Sequence, residues 1–110
     1  MPETAKRLGA VDVAATTNTL IYAVPASTST VVSTVAICNR NSSSVKVRLA
    51  HVDGAIGSIA NEDYIYYDVT IPANDSLTLT VGITMATTHT LMAYSNTANV
   101  NFVTWGVELT

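Results

Sequence analysis

The stretch from Thr30 to Arg40 constrains the fold of this chain more than any other. It concentrates β-branched residues in a run with no proline, no glycine and no charged residue before its last position. Such a run is typical of a strand buried on both faces. Under strand alternation one face carries Val31, Val35 and Ile37, and the other carries Val32, Ala36 and Cys38. We therefore predict that this stretch is the central strand of a sheet.

A central strand with two apolar faces needs a second cover. In a two-layer domain each sheet buries one face against the other sheet, so the outer face requires a loop, a chain terminus or a neighbouring subunit. Charged residues make up 12% of the chain, about half of the roughly 25% found in soluble domains. Threonine, serine and asparagine replace them, and such a surface costs little to desolvate. These features predict a subunit that assembles, with Val32 and Ala36 as candidate interface residues.

Most of the remaining chain has the pattern of short strands separated by turn-forming residues. Alternating or β-rich segments occur at Thr19–Val24, Val45–Ala50, Tyr64–Ile71, Ser76–Ile83, His89–Tyr94 and Ala98–Thr110. No segment has a 3.6-residue period long enough for a helix. A length of 110 residues suits one domain. We predict an all-β fold, an antiparallel β-sandwich of about seven or eight strands with jelly-roll or Greek-key connections.

The N-terminal segment departs from this pattern. Residues 1–17 lack a sustained period, and we interpret them as an extended N-terminal arm with a short strand near Val11–Ala14. Residues 18–110 then form the β-sandwich domain. Because arms often clamp neighbouring subunits, Lys6 and Arg7 are further candidate interface residues.

The second half of the chain contains the candidate contact loop and a group of three tyrosines close together in sequence. Residues 51–63 form the longest predicted loop, and loops of this kind often carry binding contacts. Tyr64 and Tyr66 follow it and complete the set of candidate interface residues, because tyrosine is favoured both in strands and at interfaces. Near the C-terminus the apolar residues change from even-numbered to odd-numbered positions between Phe102 and Val103. This change in alternation predicts a β-bulge or a bend there.

Composition argues against nucleic-acid and membrane partners. The net charge is −3 with five basic residues, which provides no extended basic surface for nucleic acid. Lys46 and Arg48 share one strand face and are interpreted as solvated. No apolar run is long enough to span a bilayer, and the first residues lack the apolar core of a signal peptide. We expect a soluble protein made in a cytoplasm, with its single cysteine, Cys38, as a small core residue.

We find no catalytic or metal-ligating constellation in the sequence. His51 and His89 are the only histidines and lack a metal-binding spacing. His51 continues the core parity of its strand, so we expect it to be structural. The acidic residues Glu62, Asp63 and Asp68 lack the spacing of a calcium-binding loop. The prediction is a non-enzymatic protein without catalytic residues, metal or cofactor.

Several segments spread nearly from end to end carry a family resemblance. They are Lys6–Gly9, Leu20–Ala26, Ser29–Thr34, Cys38–Arg40, Tyr64–Asp68, Ile71–Asp75, Leu79–Thr84 and Trp105–Thr110. Together they resemble small virion structural proteins of tailed bacteriophages, notably those of cyanophage type. The shared segments belong to the scaffold and contain no catalytic motif.

The resemblance implies a capsid decoration (cement) protein on the outer capsid surface of the virion. Such a protein would be synthesised in the host cytoplasm and would bridge major capsid protein subunits. It would act as a homo-oligomer, with a trimer favoured because closed symmetry covers an apolar face. The main alternative is a tail or fibre component bound to tail proteins, serving attachment or receptor binding. A second alternative is a carbohydrate-binding module that uses Tyr64, Tyr66 and Trp105 as exposed aromatics.

Overall fold

Eight strands build two four-stranded antiparallel sheets in the computed structural model, which describes residues 3–110. The strands are β1 (Glu3–Val13), β2 (Thr19–Ala23), β3 (Ser29–Asn39), β4 (Val45–Val52), β5 (Tyr64–Ile71), β6 (Ser76–Met85), β7 (Thr90–Ser95) and β8 (Val100–Leu109). Two short 3-10 helices, Ile56–Ser58 and Asn61–Asp63, lie between β4 and β5. The predicted all-β class, the antiparallel pairing and the number of strands are confirmed.

The two sheets pack in a sandwich-like arrangement. Sheet A has the strand order β1-β8-β3-β6, and sheet B has the order β2-β7-β4-β5. The main core contains residues from both sheets, and its largest completely buried side chains include Phe102, Ile37 and Leu49. Of the successive strand pairs, β4 and β5 alone are neighbours in one sheet among residues 3–110. Consequently, the fold is held together mainly by pairing between strands that are distant in sequence.

Strand β3 is central, as predicted, but it contains a β-bulge. It lies between β8 and β6, and its register shifts between Val32 and Thr34 in both pairings. Ser33 is therefore an extra residue, which reverses the alternation of side chains along the rest of the strand. The strict alternation predicted from the sequence is wrong at this point.

The bulge redistributes the apolar residues of β3. The core face carries Val32, Val35 and Ile37, each with 0% of its surface exposed. The outer face carries Val31, Ala36 and Cys38, which are half-buried. The predicted grouping of Val31 with Val35 is therefore wrong, and so is the placement of Cys38 in the core. The expectation that β3 has an apolar outer face is nevertheless met by these three residues.

The N-terminal segment is a full strand where an arm with a short strand was predicted. Residues 3–13 pair with β8 from Glu3 to Val13 and form one edge of sheet A. Most side chains of this edge strand are exposed, and a bulge at Leu8 interrupts the register, so the hydrophobic period is obscured. Met1 and Pro2, the first two residues of the predicted arm, lie outside the described residues.

Strand β8 runs through sheet A without the predicted bulge. Its residues pair consecutively with β1 and β3, and both register shifts fall in those neighbouring strands. Phe102 and Thr104 point into the core and are completely buried. Val103 and Trp105 point outward. The apparent change in alternation arises because the outer face of β8 is also apolar, with Val103 and Trp105 on it.

The outer face of sheet B has a cover from its own chain. The completely buried residues Ala50, Val52 and Met92 form a second cluster, against which Ile56, Ile59, Tyr64 and Tyr94 pack. Ile56 and Ile59 come from the long loop that the sequence predicts. That loop therefore completes the burial of one end of sheet B, where a partner contact was expected.

Candidate interface and surface sites

The outer face of sheet A carries a row of apolar side chains along its two central strands. We define the sheet A surface as Val31, Ala36, Val103, Trp105, Val107 and Leu109. The cross-strand register places Val103 beside Ala36 and Val107 beside Val31. Trp105 keeps 39% of its surface exposed, and the other members are half-buried. None of them belongs to either hydrophobic cluster formed within residues 3–110.

Polar groups surround this apolar row. On one side, β6 presents the exposed threonines Thr78, Thr80 and Thr84. On the other side, the exposed Arg7 of β1 is the register partner of Trp105. Further along, Arg40 forms an exposed ion pair with Asp12, with Nη2 and Oδ1 2.7 Å apart. An apolar centre with a polar rim is the usual anatomy of a protein interface.

The candidate interface residues from the sequence do not form one surface. Ala36 and Arg7 lie on the outer side of sheet A, as described above. Val32 is completely buried between the sheets, so it is removed from the candidate interface. Tyr64 helps to cover the second cluster of sheet B, and Tyr66 is half-buried against the main core.

Lys6, the remaining candidate, belongs to a network that joins the two sheets. Its Nζ lies 2.9 Å from Oε1 of Glu108, whose side chain is 12% exposed. The hydroxyl of Tyr22, from β2 in sheet B, donates to Oε2 of Glu108 at 2.5 Å. The same hydroxyl lies 2.8 Å from Oγ1 of Thr30 in β3. Lys6 thus serves an intramolecular contact, although its side chain is 45% exposed.

The network shifts the titration of its members. Burial and the hydrogen bond to Glu108 raise the pKa of Tyr22 from 10.0 to about 12. The hydrogen bonds from Tyr22 and then Lys6 lower the pKa of Glu108. Near neutral pH the network therefore consists of a neutral phenol that donates to a carboxylate.

A second surface cluster occupies the outer face of sheet B. The register shift between β4 and β5 leaves Arg48 opposite two residues, Tyr67 and Asp68. Arg48 Nε lies 2.7 Å from Oδ1 of Asp68. Its guanidinium carbon lies 4.1 Å from the ring centroid of Tyr67 and 4.3 Å from that of Tyr94. The hydrogen bond from Arg48 lowers the pKa of Asp68, so this pair is charged and internally neutralised.

A cleft of about 320 Å³ adjoins this cluster and is lined by Asn61, Tyr64 and Tyr67. The rings of Tyr64 and Tyr67 are nearly perpendicular, with centroids 4.9 Å apart. Tyr67 is 57% exposed, more than the other exposed large hydrophobic residues of the described chain. Tyr64 and Tyr66 were the predicted interface tyrosines, but the bulge in β5 places Tyr67 at the surface.

The two histidines meet at another cleft, of about 390 Å³. Nε2 of His51 lies 2.8 Å from Nδ1 of His89, and Nε2 of His89 lies 3.1 Å from Oδ1 of Asp53. Burial, followed by the charge of His89, lowers the pKa of His51. No local motif could reveal this pair, because pairing of β4 with β7 brings the two histidines together.

Among the described residues that line it, this histidine cleft has three carboxylates and no serine, threonine or cysteine. Its other lining residues are Asp53, Glu62, Asp63, Tyr64, Ile65 and Ile83. Of the three acids considered for calcium, Glu62 and Asp63 line this cleft, whereas Asp68 lies in β5. Asp68 pairs with Arg48, while Asp63 accepts a hydrogen bond from the backbone of Ala60. Within residues 3–110 there is no group of three metal-ligating side chains placed to hold an ion.

Comparison with known proteins found no family model and no curated protein that matches this chain. Within residues 3–110, no helix has the length and apolar character required to cross a membrane.

Proposed function

We propose that this chain is a non-enzymatic structural protein of a bacteriophage virion, acting as a capsid decoration protein. In this role it binds the outer surface of the major capsid lattice as a homo-oligomer and stabilises the shell. The observation that carries the proposal is the sheet A surface, an apolar row that includes an exposed tryptophan. The resemblance of the sequence motifs to phage virion proteins supplies the biological setting.

The strand order supports the proposal, because we infer that the two sheets form a jelly roll. All successive strands except β4 and β5 alternate between the sheets. An eight-stranded double sheet of this kind is common among viral capsid and lectin domains. A fold class hosts many functions, so the proposed role rests on the surface chemistry.

The chemistry of the sheet A surface suits a protein partner. Removing apolar area from water contributes about 25 cal/mol for each Å² buried, and the neighbouring threonines are less costly to desolvate than charged groups. Trp105 is a suitable central anchor, since tryptophan is enriched among the residues that dominate binding energy. Arg7 and the Asp12–Arg40 pair lie where a polar rim would contact a partner.

Quantification of purified virions tests the proposed location. A decoration protein is expected at hundreds of copies per particle in stained gels, whereas a few dozen or fewer would favour the tail or fibre alternative. Heating virions that lack the protein should release their DNA at a lower temperature than intact virions. Equal heat stability would remove the stabilising role.

A matched pair of variants tests the proposed surface. Trp105→Ser should abolish binding to capsids that lack the protein, because it removes the exposed anchor of the sheet A surface. Tyr67→Ser is the control, because it removes an exposed aromatic residue from sheet B. Capsid binding that is unchanged by Trp105→Ser, or that is lost equally in both folded variants, would contradict the assignment of this surface.

A further inference from the structure

The outer face of sheet B displays aromatic and polar groups at a β-bulge in β5, where Asp68 has a positive φ. In a regular strand Tyr67 and Asp68 would point to opposite sides of the sheet. The bulge places both residues opposite Arg48, which contacts each of them. Asp68 adopts a φ of 55°, a left-handed conformation that non-glycine residues rarely occupy. The chain therefore accepts an unfavourable backbone conformation that presents these two side chains together.

Contacts around Arg48 hold the exposed aromatic ring in place. The guanidinium packs over the ring of Tyr67 and is bound to Asp68 through Nε at 2.7 Å. The side chain of Arg48 is only 22% exposed. On the other side it packs over Tyr94, which belongs to the covered cluster of sheet B. An aromatic surface fixed in advance loses little conformational entropy when a ligand binds.

The chemistry of the cleft indicates a neutral ligand with hydroxyl groups. The adjacent charges of Arg48 and Asp68 neutralise each other, so the cleft has no uncompensated charge from this pair. Its lining consists of two phenol rings and the amide of Asn61. The rings offer apolar faces, while the phenol hydroxyls and the amide donate and accept hydrogen bonds. A sugar ring combines the same two features, with an apolar C–H face and an equatorial belt of hydroxyls.

We propose that the cleft formed by Asn61, Tyr64 and Tyr67 is a binding site for neutral carbohydrate. A pyranose ring packs against the nearly perpendicular rings of Tyr64 and Tyr67. Its hydroxyls form hydrogen bonds with the Asn61 amide and with the phenol hydroxyls. The volume of about 320 Å³ lies at the lower end of the roughly 300–1,000 Å³ range of small-ligand sites. This volume and the open position of Tyr67 suit a short segment of a glycan.

The carbohydrate site is independent of the proposed virion role. It lies on sheet B, whereas the surface assigned to capsid binding lies on sheet A. A protein could therefore occupy one surface while the other stays accessible. Trp105, which was predicted as a sugar-binding aromatic together with Tyr64 and Tyr66, lies on the other sheet and is not part of this site.

Titration of the ¹⁵N-labelled full chain with cellohexaose, maltohexaose and mannohexaose tests the proposal by heteronuclear NMR. At least one probe should shift the amide signals of Asn61, Tyr64 and Tyr67, with a dissociation constant of about 1 mM, typical of weak binding. Tyr67→Ala should weaken this binding about tenfold or more, given the usual contribution of an aromatic contact. Tyr67→Phe should retain most of the binding because it keeps the ring.

Trp105→Ala serves as the matched control and should leave sugar binding unchanged. The proposal is overturned if none of the three probes shifts these signals at about ten times the expected dissociation constant. It is equally overturned if Tyr67→Ala binds as tightly as the parent, or if the shifts map to Trp105. These outcomes leave the copy number in virions unaffected, so failure of the carbohydrate site is distinguishable from failure of the capsid proposal.

Discussion

Replacing Tyr22 with phenylalanine tests whether the network of Lys6, Glu108 and Thr30 stabilises the contact between the sheets. Tyr22 is 7% exposed, and its hydroxyl donates to a carboxylate that is itself largely buried. A hydrogen bond to a charged group contributes about 1.5–3 kcal/mol net. Tyr22→Phe does not remove Lys6, which pairs with Glu108 in the parent, so we expect the variant to lower the free energy of unfolding by about 2 kcal/mol near pH 8.

The raised pKa of Tyr22 predicts that the protein loses stability at alkaline pH. The folded state holds the pKa of Tyr22 at about 12, whereas an unfolded tyrosine titrates near 10.0. The stabilisation is therefore fully present below pH 10 and is lost as the pH rises toward 12. Each pKa unit corresponds to about 1.4 kcal/mol, so the total loss approaches about 3 kcal/mol. In Tyr22→Phe this contribution is absent, so the parent and the variant converge in stability with increasing pH.

Urea unfolding followed by far-ultraviolet circular dichroism, repeated across this pH range, measures both effects. The other titrating groups are shared by the two proteins, so their difference isolates Tyr22. Tyr67→Phe is the matched control, because Tyr67 is exposed, and it should change stability by less than about 0.5 kcal/mol. If Tyr22→Phe were as stable as the parent near pH 8, or if the difference stayed constant into alkali, the assigned role of the network would be refuted.

Two further predictions concern the histidine pair and a close approach of strands. Because burial and His89 lower the pKa of His51, stability should be intact above the ordinary value of about 6.5 and should fall as the pH drops through the lowered pKa. His51→Asn should flatten this decline in urea unfolding, and an unchanged pH profile would contradict the reasoning. Gly106→Ala places a Cβ inside van der Waals contact with the carbonyl oxygen of Val31, so we expect the free energy of unfolding to fall by more than about 3 kcal/mol. Gly57→Ala meets no atom within 4 Å, and equal melting temperatures for these two alanine variants would refute the steric argument.

A capsid surface and a carbohydrate site on opposite sheets would give the protein two separable activities. Binding through the sheet A surface would anchor each copy on the shell. The tyrosine cleft on sheet B would then remain accessible to carbohydrate. Trp105→Ser and Tyr67→Ala each remove one of these activities in this scheme, so the two variants can be examined side by side.

Strand positions are the part of this fold that local patterns predict well. The bounds of β5 were predicted at Tyr64–Ile71 and are found there, because a long loop precedes the strand and Pro72 follows it. The apolar outer face of β3 was also predicted, since hydrophobic composition alone reveals two apolar faces. The N-terminal edge strand was missed because its side chains are mostly exposed and Leu8 breaks its register.

The amino-acid order specifies an all-β chain of about seven or eight strands, a charge-poor surface and one strand with two apolar faces, because alternation and turn chemistry act over a few residues. The fold determines which side of each strand is buried, since a bulge such as Ser33 exists only relative to a partner strand. It also assembles the sites: Arg48 meets Tyr67 and Asp68 across a shifted register, and His51 meets His89 across a sheet. Such contacts depend on pairing between distant segments, which no local window of sequence contains.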